Sequence, residues 1–87
     1  MSKKENSLFR TMPLFRIILD ILWRNPEGIY DRDLVEILRE EHDIEASIDE
    51  IYTNLLKLEV NGLIYAERVG ESLLLKPNIE GLKENNK

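Results

Sequence analysis

The sequence predicts a small α+β fold that is mostly helical, with three helices and one short β-hairpin. Apolar residues recur every three or four positions in three separate stretches, which is the pattern of helices that bury one face. Two short apolar runs then flank the dipeptide Gly70-Glu71, which suits the turn of a hairpin. The chain of 87 residues is long enough for one domain with its own hydrophobic core.

A first helix is predicted over residues 14–24, with Pro13 in its first turn, where a missing backbone N–H costs little. Its polar side chains form one narrow stripe with a spacing of four residues: Arg16, Asp20 and Arg24. Most other positions are apolar, whereas a helix packed on one side of a domain needs an apolar stripe of only ~100°. We therefore expect a second surface to cover this helix, either the N-terminal arm or the same helix of a second chain. The side chains expected at this dimer interface are Phe9, Leu14, Phe15, Ile18, Leu19, Leu22 and Trp23.

A short strand and a second helix are predicted next, after the helix-breaking run at residues 25–28. Ile29 and Tyr30 suit the strand, and Asp31 suits the cap of a helix over residues 32–41. The side chains expected to be buried are Leu34, Val35, Ile37 and Leu38, followed by Ile44 in the turn that comes after.

The third helix has the clearest start and stop signals in the chain. Ser47 is a favourable N-cap, and Glu50 three residues later completes a capping box. Gly62 follows the helix at a position where positive φ is favourable. The inward stripe is predicted to consist of Ile48, Ile51, Leu55 and Leu58.

Two strands are predicted after the third helix, over residues 63–69 and 72–76. The intervening Gly70-Glu71 favours a type II′ turn, because glycine tolerates the positive φ required at its first central position. The predicted organisation is therefore an N-terminal arm (residues 1–12), one folded domain (13–78) and a C-terminal tail (79–87).

The stretch from Ser47 to Ile64 resembles the recognition helix and wing of winged helix-turn-helix domains. It is similar to ferric-uptake-regulator-like and PadR-like regulators, matching their pattern at Ser47, Ile51, Tyr52, Leu55, Leu58, Glu59, Gly62 and Ile64. The resemblance extends roughly over residues 14–77 and implies the winged-helix fold and a role in transcription regulation. Thr53 replaces the arginine usual in the ferric-uptake family, and the histidine-rich metal sites of that family have no counterpart here. Metal sensing is therefore not carried over.

The formal net charge of −5 is unevenly distributed along the chain. Residues 1–24 carry five basic and two acidic side chains, and residues 63–87 carry four of each. Residues 25–62 carry eleven acidic side chains against three basic ones. Because neutralisation of phosphates supplies most non-specific DNA affinity, acid on the predicted helix-turn-helix counts against DNA binding there.

Candidate DNA contacts lie on the outward side of the third helix, on the wing and on the arm. Hydroxyl and amide side chains can bond to base edges or contact thymine methyls, and lysine can reach a phosphate or a guanine. Asp49 and Glu50, on the same helix, are better explained as stabilising the positive end of the helix dipole. The predicted DNA-binding residues are Tyr52, Thr53, Asn54, Lys57, Arg68, Lys76, Lys3, Lys4 and Arg10.

The sequence does not suggest an enzyme, a metal site or a cofactor. It has no cysteine, one histidine (His42) and no glycine-rich phosphate loop. Its apolar runs are too short to cross a bilayer, and no signal-peptide pattern is present. We therefore expect a cytoplasmic protein, comparable with small archaeal or viral regulators.

We expect the first of two functions and keep the second as the alternative. The first is a homodimeric winged-helix transcription regulator that binds double-stranded DNA, as the resemblance implies. The second is an acidic winged-helix module that binds another protein and not DNA. The acidic helix-turn-helix, the outward-facing Leu56 and the broadly apolar first helix suit this alternative.

Overall fold

A computed structural model describes residues 12–80. In chain order these residues form α1 (Leu14–Trp23), β1 (Ile29–Tyr30), α2 (Asp31–His42), α3 (Ile48–Val60), β2 (Ile64–Val69) and β3 (Ser72–Pro77). The mostly helical α+β fold with three helices and a hairpin is thereby confirmed for this part of the chain. Nearly all of the predicted arm and most of the predicted tail lie outside the described residues.

The three strands form an antiparallel sheet in the order β1-β3-β2. Val69 pairs with Ser72, which leaves Gly70 and Glu71 as the two-residue turn of the hairpin. Gly70 has a φ of 64°, whereas Glu71 has no positive φ, as a type II′ turn requires. The hairpin prediction is therefore confirmed, although β3 extends one residue further than expected, to Pro77.

The hydrophobic core lies between the three helices and one face of the sheet. Helix α1 supplies five buried side chains, more than either other helix. Each large apolar side chain that is fully buried stabilises the fold by about 1.5–3 kcal/mol relative to exposure. The core residues are Leu14, Ile17, Ile18, Ile21, Leu22, Leu34, Leu38, Ile44, Ile51, Leu55, Leu58, Ile64 and Leu75.

The predicted ends of helix α3 are confirmed by hydrogen bonds. The Ser47 hydroxyl oxygen accepts from the Glu50 N–H (3.1 Å) at the start of the helix. At its end, the Gly62 N–H donates to the Glu59 carbonyl and the Leu63 N–H to the Leu58 carbonyl, both at 2.9 Å. This is the bond pattern of a Schellman motif, and Gly62 has the left-handed φ of 75° that it needs.

Three expectations about individual residues were wrong. Ile48 was expected in the core but is 56% exposed, because it occupies the first helical position, beyond the surfaces that cover Ile51. Helix α2 begins at Asp31 itself and not after it, with Tyr30 at the cap position. Val35 and Ile37 are half-buried at the edge of the core, since α2 buries only its narrow stripe of Leu34 and Leu38.

Among residues 12–80, no helix combines the length and the apolar character that a bilayer crossing requires.

Candidate functional site on helix α3

The exposed side of α3 carries four large apolar side chains. Ile48, Tyr52, Leu56 and Val60 are 56%, 41%, 59% and 75% exposed. Positions four residues apart are neighbours on a helix surface, so these side chains form a continuous oblique line, here called the apolar stripe. Single exposed apolar residues are ordinary, but contiguous ones mark interaction surfaces. The four-residue spacing is visible in the sequence, although among these residues only Leu56 was expected at a surface for a protein partner.

Acidic side chains accompany the apolar stripe along α3. Asp49 and Glu50 are exposed in the first turn, and Glu59 is exposed near the end. Within α3 the basic side chain is Lys57, in the last turn. Helix α3 itself therefore carries a net negative charge, which disfavours phosphate and favours a cationic partner.

Tyr52 is held in place by Asp31, the first residue of α2. The Tyr52 hydroxyl donates to Asp31 Oδ2 at 2.6 Å, and the Arg32 N–H donates to Asp31 Oδ1 at 2.9 Å. A separation this short is typical of a hydroxyl bonded to an ionised carboxylate. The hydrogen bond thus fixes the middle of the apolar stripe relative to the start of α2.

The ionisation of both groups reflects this contact. Burial raises the pKa of Asp31, but hydrogen bonds from the Tyr52 hydroxyl and from backbone N–H groups, led by that of Leu73, outweigh it and bring the pKa below 3.8. The hydrogen bond to Asp31 raises the pKa of Tyr52 above 10.0, with smaller contributions from burial and the Asp31 charge. At neutral pH the pair is therefore a phenol donating to a carboxylate.

The predicted DNA contacts on α3 are only partly available. Thr53 and Lys57 are exposed one turn apart. The hydroxyl proton of Tyr52 is donated to Asp31, and the half-buried Asn54 donates a side-chain N–H to the Glu50 carbonyl at 2.7 Å. Hydrogen-bonding capacity for base edges is therefore smaller than the sequence suggested.

The predicted contacts on the hairpin are divided between two faces of the sheet. Arg68 lies close enough to Tyr52 for its positive charge to oppose the rise of the tyrosine pKa. Lys76 pairs with Tyr65, on the opposite face of the sheet from Arg68. The structure thus brings Arg68, but not Lys76, towards α3. Lys3, Lys4 and Arg10 lie outside the described residues.

A groove of about 260 Å³ lies between α2 and α3 beside the apolar stripe. Its walls are mainly apolar, with the carboxylate of Asp31 among them. Arg32 also lines the groove. Its guanidinium lies 5.7 Å from the centroid of the Tyr30 ring. The full lining consists of Asp31, Arg32, Val35, Ile48, Ile51 and Tyr52.

The predicted dimer interface on α1 is reduced by burial within the single chain. Leu14, Ile18 and Leu22 belong to the core and are not on a surface that a second chain can reach. The structure does bring together Phe15, Leu19 and Trp23, which are exposed or half-buried, and Phe9 lies outside the described residues. A cavity of about 500 Å³ lies there, lined by Phe15, Arg16, Leu19, Asp20, Trp23 and Leu63.

In the described part of the chain, no three or more His, Cys, Asp or Glu side chains are grouped so that they could hold a metal ion. Comparisons of the chain with protein-family models, with curated proteins and with solved structures find no match.

Proposed function

We propose that this chain is a cytoplasmic winged-helix domain that acts as a protein-interaction module. The order of elements supports the winged-helix assignment: a helix, a short strand, two helices and a hairpin, with β1 beside β3. The resemblance of residues 47–64 to recognition helices agrees with the position of α3 at the surface. In this arrangement β2 and β3 form the wing.

The apolar stripe on α3 is the observation that carries the proposal. A helix face that exposes Leu56 and Val60 by more than half resembles the surfaces that dock amphipathic helices of partner proteins. The acidic residues beside the stripe, Asp49, Glu50 and Glu59, indicate the charge of the partner. We infer that the partner segment has an apolar face flanked by Lys or Arg.

The charge distribution favours a protein over a nucleic acid as the partner of this face. Residues 25–62, which include α2 and α3, carry eleven acidic and three basic side chains. DNA binders owe much of their affinity to several phosphate contacts with Lys or Arg, and the exposed side of α3 offers Lys57 alone. The same charges attract a basic peptide and speed its association.

Binding of duplex DNA by a homodimer is the second candidate function. The observation that favours it is the position of Arg68 near Tyr52, together with Thr53 and Lys57 exposed on α3. In this candidate α3 enters the major groove, and Phe15, Leu19 and Trp23 join two chains. The two-fold symmetry of such a dimer would match a palindromic site.

Selection from a library of displayed helical peptides tests the interaction module. We expect the wild-type domain to enrich peptides with an apolar face and Lys or Arg beside it. Binding should weaken at least tenfold in Leu56→Ser and remain unchanged in Tyr65→Ser. Tyr65 is a matched control because its exposed fraction, 56%, is similar to that of Leu56, but it lies on the outer face of the sheet. The proposal would be contradicted if the Leu56→Ser variant enriched the same peptides as strongly as the wild-type domain, or if the wild-type domain enriched none.

A further inference from the structure

We infer that the groove between α2 and α3 holds one Lys or Arg side chain of the partner segment. In this arrangement Asp31 accepts the cationic group, and the apolar walls at Val35, Ile48 and Ile51 contact the aliphatic stem. The inference rests on the proposed function, because it names the residue type that anchors the partner beside the apolar stripe.

The first support is a carboxylate that lacks a counter-ion. Within residues 12–80, one salt bridge forms, between Arg24 Nη2 and Asp20 Oδ2 at 3.1 Å. Asp31 forms no salt bridge with any of these residues. The Asp31 carboxylate accepts hydrogen bonds from the Tyr52 hydroxyl, from the Arg32 N–H and from the backbone N–H of Leu73. All of these donors are uncharged, so they leave the negative charge of the carboxylate without a counter-ion. The existing bonds orient the carboxylate before a partner binds.

The ionisation state of Asp31 agrees with this role. Its pKa lies below the ordinary value despite partial burial, because hydrogen bonds favour the charged form. The carboxylate is therefore negative at neutral pH. The hydrogen bonds already hold the Asp31 side chain, so it loses less freedom when an ion pair forms. Such an ion pair is stronger than one between freely moving surface groups.

The dimensions and walls of the groove suit a long, linear side chain. Its volume of about 260 Å³ is below the ~300–1,000 Å³ usual for small-molecule pockets. The aliphatic stems of Lys and Arg side chains lie along apolar surfaces, while their charged ends stay in a polar environment. Ile48, exposed at the start of α3, contributes such an apolar wall.

Arg32 opposes a cation in the groove and supplies a second test. Its side chain lines the groove, but its guanidinium lies over the Tyr30 ring, 5.7 Å from the centroid. Its charge still repels a second cation nearby. Replacement of Arg32 by a neutral residue should therefore strengthen cation binding, whereas replacement of Asp31 should weaken it.

A titration with side-chain analogues, followed by amide chemical shifts in NMR, tests the groove. The probes are n-pentylammonium and n-butylguanidinium, with n-pentanol as the neutral control. We expect saturable shifts at Val35, Ile48 and Tyr52 with both cations and affinity roughly tenfold weaker in Asp31→Asn. Arg32→Gln should bind the cations more tightly, and added salt should weaken binding.

Three results would overturn the inference: equal binding of pentanol, unchanged affinity in a folded Asp31→Asn, or shifts centred outside the groove. If Asp31→Asn fails to fold, unchanged or weaker cation binding by Arg32→Gln would overturn it. Failure here is distinguishable from failure of the proposed function. Selected peptides that depend on Leu56 but show no preference for Lys or Arg would refute the groove alone, whereas absence of such peptides would refute the interaction module.

Discussion

The Tyr52 hydroxyl donates a 2.6 Å hydrogen bond to the Asp31 carboxylate and so joins two helices across 21 positions of sequence. This bond lies between the apolar stripe and the groove. It fixes the Tyr52 ring, which would otherwise be free to move on the surface of α3. Its removal should affect both stability and the shape of the candidate site.

Tyr52→Phe removes the donor and keeps the ring. We expect the free energy of unfolding to fall by about 1 kcal/mol or less, because both partners are partly solvated and water replaces some of the lost interaction. Urea unfolding followed by circular dichroism measures the change. Tyr65→Phe is the control, since its exposed hydroxyl lies on the outer sheet face, and a loss there of equal size would contradict the assignment.

The stability difference between wild type and Tyr52→Phe should depend on pH. Because the pKa of Asp31 is lowered on folding, its contribution is present above its ordinary value of 3.8 and is lost as the pH falls through the lower folded value. Because the pKa of Tyr52 is raised, its contribution is present below 10.0 and is lost as the pH rises through the higher folded value. Urea midpoints for both proteins across pH should therefore be furthest apart between these limits, and a constant difference would refute the linkage.

Gly28→Ala should destabilise the domain more than Gly62→Ala. Gly62 has a φ of 75° and no atoms near an added Cβ, so alanine there meets only backbone strain of about 1 kcal/mol. Gly28 has a φ of 106°, and an added Cβ would lie 3.0 Å from Lys76 Cγ and 3.3 Å from the Leu75 carbonyl oxygen. Thermal unfolding of the two variants ranks them, and the reverse order would show that the β1–β3 contact is looser than described.

Ile18→Glu and Leu19→Glu, adjacent on α1, should behave differently. Ile18 is fully buried, so a carboxylate there should cost on the order of 5 kcal/mol and unfold the domain. Leu19 is half-buried on the face with Phe15 and Trp23, so Leu19→Glu should stay folded. If the chain forms the homodimer through α1, this variant should be monomeric in analytical ultracentrifugation. A dimer that persists in Leu19→Glu would exclude that face as the interface.

Local signals in the sequence were reliable because they depend on a few neighbouring residues. The cap at Ser47, the helix end at Gly62 and the turn at Gly70 each follow from backbone requirements that only a few residue types satisfy. The contact of Tyr52 with Asp31 could not be predicted, because it depends on how α2 and α3 pack. The same holds for Ile48, whose spacing fits the buried stripe but whose position at the helix end lies beyond it.

The apolar residues around α1 meet only part of the expectation that a second surface covers this helix. Its many apolar residues suggested a surface for a second chain, yet most of them are covered by the other helices and the sheet of the same chain. A helix at the centre of a small domain needs a wide apolar surface for that reason alone. Phe15, Leu19 and Trp23 remain exposed or half-buried, on a face that a second chain can reach.

Fluorescence anisotropy with two labelled probes across a salt series distinguishes peptide binding by α3 from DNA binding. The probes are random-sequence duplex DNA and an amphipathic helical peptide of leucine and lysine, with a leucine–glutamate peptide as the charge control. We expect that the leucine–lysine peptide binds, that Leu56→Ser weakens this binding, and that DNA does not bind even at low salt. Binding of DNA with a negative slope of log affinity against log salt, together with no binding of the peptide, would contradict it.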